Sequence, residues 1–137
     1  MTTGELVAAR ALALVGAPFH LQGRTARGGF DCVGLVAAAL GQADVRSDYA
    51  LRGGSLEQLA LELERAGLVP VEIPATGDVA VMRTGPAQLH LGVLTARGLV
   101  HADAGLRRVV VRPGPAPWPI LQLWRVSEEN CGWPPLS

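Results

Sequence analysis

The tetrapeptide Asp31-Cys32-Val33-Gly34 opens an apolar run, and two histidines, His90 and His101, follow it far downstream. A thiol attacks a carbonyl as its thiolate, which at neutral pH requires a base, a helix N-terminus or both close by. Asp31 is of the type that caps helices, so Cys32 is expected at the first helical position. There, unpaired backbone N–H groups and the positive end of the helix dipole favour an anion. A histidine acting as base needs one ring nitrogen toward the thiol and the other held in place, and a second polar residue on a neighbouring strand can hold it. Cys32, His90 and His101 thus have the residue types of nucleophilic acyl chemistry, with His101 orienting His90. The plain alternatives are a structural cysteine buried in a helix and two half-buried histidines satisfied by their neighbours.

The elements that must position them come in two blocks. Leu6, Leu12, Leu14 and Val15 suit the buried side of a helix over 3–15, which Gly16-Ala17-Pro18 stops. A second helix is expected over 32–40, with Gly41 as its stop, and a third over 56–66, capped by Ser55 with Gln58 and closed by Gly67. Between them, 42–54 reads as a polar loop. The period then changes, and short strands are expected at 79–82, 89–94, 98–101, 109–111 and 120–126. Helices followed by a meander of strands give an α+β fold. An even-numbered loop around Thr95-Ala96-Arg97-Gly98 pairs residues whose numbers sum to an odd value, which sets His90 and His101 on one face as diagonal neighbours.

Composition narrows the classes. A chain of 137 residues, 49% hydrophobic, suits one domain, with a core over about 3–126 and an irregular tail over 127–137. Twelve acidic residues balance twelve basic ones, all of them Arg, so no basic footprint for nucleic acid or an anionic membrane exists. Cys32 and Cys131 make a poor disulfide framework, and no ligand spacing suggests a metal. The apolar stretch 11–19 is too short to span a bilayer and lacks the flanks of a secretory signal.

These residues resemble a known family. Gly16-Ala17-Pro18-Phe19, Gly29-Phe30-Asp31-Cys32-Val33-Gly34-Leu35-Val36, Gly77-Asp78-Val79, His90-Leu91-Gly92-Val93 and Val100-His101-Ala102 look, in that order, like the NlpC family of papain-like cysteine peptidases. The likeness runs over residues 5–126. The short length, Gln22 ahead of the Cys loop and the missing signal are most similar to the phage subgroup, encoded with phage tails and gene transfer agents. The resemblance implies a papain-like fold, N-terminal helices packed on a C-terminal antiparallel sheet. It implies cleavage of peptidoglycan stem peptides between D-glutamate and the diamino acid that follows. Cys32 is then nucleophile, His90 base and later general acid, and His101 the orienting residue, without metal or cofactor. The implied partners are the stem peptide and phage-like tail or baseplate proteins, and the protein would be made in the bacterial cytoplasm and carried in a particle.

The chain departs from the family pattern at two places. Val33 replaces the usual Ser after the nucleophile, and Phe19 replaces a Tyr whose hydroxyl approaches it. Gln22, ahead of His20, is the expected substitute donor to an oxyanion because an amide donates without titrating. Asp31 is expected to cap, Asp78 to form a turn, and Asp103 either to accept near His101 or to begin a solvated turn. Arg24, Arg107 and Arg108 are solvated or else meet carboxylates. Trp124 is expected in the last core strand, whereas Trp118 and Trp133 belong to Pro-rich segments that pack over an edge or dock a partner. Two competing readings keep the scaffold: a silent structural tail subunit, and an acyltransferase or amidase using the same Cys and His.

Overall fold

In the computed structural model, residues 2–18, 24–25, 29–41, 55–86 and 88–127 are described. The first helix, α1, spans Thr3–Ala13 and is started by a capping box, in which Thr2 Oγ1 accepts from the Glu5 N–H at 3.0 Å and Glu5 Oε1 from the Thr2 N–H at 3.4 Å. It ends two residues before the expected position 15. The backbone at 16–17 is spent elsewhere: the Gly16 N–H donates to the Val109 carbonyl and the Val109 N–H to the Ala17 carbonyl, each at 2.8 Å. A helix continued through those residues would forfeit both bonds.

Two short strands, β1 (Arg24–Thr25) and β2 (Gly29–Phe30), pair antiparallel ahead of α2 (Cys32–Leu40). Helix α2 matches its expected bounds and stops at Gly41, whose φ of 74° is the left-handed conformation that glycine adopts without penalty. Helix α3 (Leu56–Arg65) begins where Ser55 Oγ accepts from the Gln58 N–H at 3.3 Å.

The strands β3 (Leu68–Val71), β4 (Val79–Gly85), β5 (Gln88–Thr95), β6 (Gly98–Asp103), β7 (Arg108–Arg112) and β8 (Ile120–Val126) form an antiparallel sheet in the order β3-β8-β4-β5-β6-β7. Strand β3 was not among the expected strands. Pro70 within it argues against a strand, yet among the described residues β3 pairs only with β8 and lies at the sheet edge, where strands tolerate proline.

One face of the sheet carries the main core. Val7, Leu35, Val36 and Leu59 of the helices meet Val81, Leu91, Val100 and Trp124 of the strands, all at most 2% exposed. Helix α2 lies against α1, β5 and β6. The other face holds a smaller cluster, Ala80, Met82, Leu99 and Leu123, covered by Ala116 and Trp118 from the segment joining β7 to β8. Asp78 is more than a turn residue. It is wholly buried, accepts from the Ala75 N–H, and takes a forked pair of bonds from Arg125 Nε and Nη2 at 2.8 and 2.9 Å, which ties the loop before β4 to β8.

Candidate active site

Cys32 is the first residue of α2 and its side chain is half-buried against the helix-side core. Asp31 caps the helix as expected: its Oδ1 accepts from the Gly34 N–H at 2.8 Å in a buried setting, while its carbonyl accepts from Leu35. The cap fixes the end of α2 and with it the place of the thiol at the helix N-terminus.

The histidines meet as the hairpin register requires. Thr95 pairs with Gly98 across the two-residue loop Ala96-Arg97, and Val93 pairs with Val100, so paired numbers sum to an odd value. His90 Nε2 and His101 Nδ1 lie 3.1 Å apart. Regular β5–β6 pairing covers 93–95 with 98–100, and the His–His bond joins the strands beyond that point. Gly92 marks the narrow place, because a Cβ there would stand 2.6 Å from Leu99 Cδ1 and 3.0 Å from the Val100 carbonyl oxygen. Among the described residues, His101 Nε2 is buried without a hydrogen-bond partner.

Burial pushes the His90 imidazole down to about 4; the positive form is disfavoured further by His101 and partly restored by Asp103. His101, 1% exposed, is lowered as well, chiefly by burial, with Asp103 opposing and Arg112 assisting. Both rings are therefore neutral at pH 7. One donates and one accepts in their mutual bond, and His90 Nδ1 is the nitrogen left for other work. Asp103 begins a turn, the second of its two alternative expectations: its Oδ1 accepts from the Leu106 N–H at 2.9 Å, while its charge opposes the lowering of both imidazoles.

Not all of the expected site comes together. Alternation along β5 turns Leu89 and Leu91 toward the helix-side core and His90 toward the opposite face, where it sits across the ladder from Met82. Cys32 belongs to the helix side and the two imidazoles to the other. Gln22, Phe19, His20, Cys131 and Trp133, as well as the expected loop 42–54, lie outside the described residues. Trp118, expected in a segment that packs over an edge or docks a partner, packs edge-on against both imidazoles, at centroid distances of 5.4 Å from His90 and 5.2 Å from His101. Its one sequence signal was the rigid Pro117-Trp118-Pro119 context. Arg107 and Arg108 are exposed, and Trp124 is in the core as expected. No cluster of three or more metal-ligating side chains occurs among the described residues, and none of their helices is long and apolar enough to cross a membrane.

No protein-family model matches the chain, and no curated protein matches it by sequence. Solved structures do. NlpC1 from Trichomonas vaginalis aligns with a TM-score of 0.62 at 18% identity, over 89% of this chain and 44% of its own. The peptidoglycan hydrolase RipB from Mycobacterium tuberculosis aligns at 0.58 and 23% identity, over 92% of this chain and 65% of its own. RipD from the same organism, described as a non-catalytic NlpC/p60 domain protein adapted to peptidoglycan binding, aligns at 0.55 and 20% identity, over 93% and 99%. The chain spans about half the length of the Trichomonas proteins, 44% and 48%. The architecture is the papain-like α+β fold of NlpC/p60 domains, as expected from sequence.

Proposed function

We propose that residues 1–137 form one NlpC-type cysteine peptidase domain acting on peptidoglycan. The observation that carries this reading is a cysteine at a capped helix N-terminus, in a fold shared with a peptidoglycan hydrolase, together with a strand-borne pair of neutral, hydrogen-bonded histidines. Helix α2 packs on β5 and β6, the strands that carry those histidines. The finer reading, cleavage between D-glutamate and the diamino acid and carriage in a phage-like tail, is supported by the motif resemblance alone.

The chemistry follows from protonation states. An imidazole titrating near 4 does not hold a resting thiolate–imidazolium pair at pH 7, so His90 acts as general base during attack. Cys32 Sγ bonds to the scissile carbonyl carbon as its proton passes to His90 Nδ1, and His101 holds His90 through Nε2. The carbonyl oxygen becomes an oxyanion, which the Cys32 backbone N–H and Gln22 stabilise. Collapse expels the amine, which takes the proton from His90. Water, deprotonated by His90, then releases the acyl group and restores the thiol. This sequence requires the helix mouth and the His90 ring to approach where β5 and β6 cease regular pairing.

The second reading is a non-catalytic domain that binds peptidoglycan or serves in assembly. It is favoured by the placement of Cys32 and His90 toward different faces of β5 and by the existence of RipD on the same fold. Incubating purified muropeptides with the native chain and with Cys32→Ala separates them. Cys32-dependent release of peptide fragments, identified by mass spectrometry, supports the peptidase, and binding without turnover supports the second reading. Transfer products in place of hydrolysis products would indicate an acyltransferase.

A further inference from the structure

The rings of His90, His101 and Trp118 form a closed triangle. Each pair meets edge to face, with centroids 5.2, 5.4 and 5.2 Å apart and interplanar angles of 86°, 77° and 90°. Aromatic rings at such separations prefer this arrangement, in which the positive edge of one addresses the electron-rich face of another. Neither imidazole can rotate far about its terminal torsion without breaking an edge contact or the 3.1 Å bond between them.

The indole is itself held. Pro117 and Pro119 restrict the backbone on either side, the Pro119 carbonyl accepts from the Arg83 N–H at 3.1 Å, and Ile120 enters the ladder opposite Met82. Trp118 also packs against the cluster formed by Ala80, Met82, Leu99 and Leu123. It is therefore fixed by the sheet rather than by a loop's own preferences. Among the described residues, the charged groups bearing on the histidine pair are Asp103 of β6 and Arg112 of β7; Met82 of β4 and Trp118 bring none.

We infer that Trp118 is a positioning residue: its indole closes one side of the His90–His101 pair to water and fixes both rings in a single hydrogen-bonded arrangement. The inference deepens the peptidase reading, but its primary test is read on the imidazoles themselves. His101 Nε2, buried and without a hydrogen-bond partner among the described residues, is a ring nitrogen that water admitted beside the pair could bond. Water there would compete with His90 for the ring's orientation and would ease its ionisation.

The test is a pH titration of the ring nitrogens by NMR on the full, ¹⁵N-labelled chain. The native protein should show one imidazole N–H proton that exchanges slowly with solvent and a His90 titration near 4. Trp118→Phe keeps an aromatic edge and leaves both signals nearly unchanged. Trp118→Ala raises the His90 titration by about one unit or more and lets the protected proton exchange. A folded Trp118→Ala protein with both signals unchanged would overturn the inference and leave Trp118 as packing. Should that variant fail to fold, Trp118→Leu and the native spectrum still decide, since no protected imidazole proton in the native chain is equally fatal. Where turnover exists, Trp118→Ala lowers kcat with little change in KM. Absence of Cys32-dependent turnover would defeat the peptidase and leave these NMR outcomes standing.

Discussion

His90 Nε2 and His101 Nδ1 lie 3.1 Å apart, joining β5 to β6 just beyond the stretch in which those strands pair regularly. The bond commits Nε2 of His90 and leaves Nδ1 as the nitrogen that the proposed chemistry would use.

Stability should depend on pH in a defined window. His90 has its folded-state affinity for protons lowered from 6.5 to about 4, so between those values the unfolded chain binds more protons and stability rises with pH. Acidification from 6.5 to 4 removes at most about 3 kcal/mol through this group, and further acidification removes little more through it. Urea unfolding across that range should show the slope in the native chain and a flatter one in His90→Leu.

Removing the cap of α2 should act on both fold and thiol. Asp31→Ala is expected to cost about 1–2 kcal/mol, because the Gly34 N–H loses its buried acceptor. Iodoacetamide labelling of Cys32, followed by peptide mass spectrometry, should slow at pH 7 as the helix end frays. An unchanged rate would separate the thiol's reactivity from the helix terminus.

The Asp78–Arg125 fork should matter to the fold and not to the thiol. Asp78→Ala leaves the Ala75 N–H and the Arg125 guanidinium without their acceptor and is expected to destabilise by about 2–3 kcal/mol. The rate of Cys32 labelling in the folded protein should not change.

Gly92→Val tests the narrow place between β5 and β6. Any Cβ there meets Leu99 Cδ1 and the Val100 carbonyl, and the added methyls enlarge the conflict, so a loss of about 1–3 kcal/mol is expected. The same displacement should spread His90 from His101, seen as loss of the protected imidazole proton, whereas Gly85→Ala, with only Gln88 Cβ at 3.6 Å, should leave it intact.

The parts legible in the sequence were those set by local chemistry. Asp31 before an apolar run located the start of α2, Gly41 its end, and the two-residue loop Ala96-Arg97 the register that joins the histidines. Strand β3 was hidden because Pro70 argues locally against a strand, and only its edge position, a tertiary fact, makes the proline harmless. The place of Trp118 stayed open for a similar reason. Nothing within Pro113 to Pro119 tells which surface the segment covers, since the ladder contact of Ile120 with Met82 that anchors it lies far off in sequence. The side of β5 faced by His90 relative to Cys32 also depends on where α2 docks, and strand alternation alone does not report that.

The most direct test of the central claim is turnover of purified muropeptides by the native chain beside Cys32→Ala and His90→Ala. The account predicts peptide-bond hydrolysis by the native chain, falling by about three or more orders of magnitude in each variant. Equal product from all three, or none from the native chain under conditions where it is folded, would contradict it.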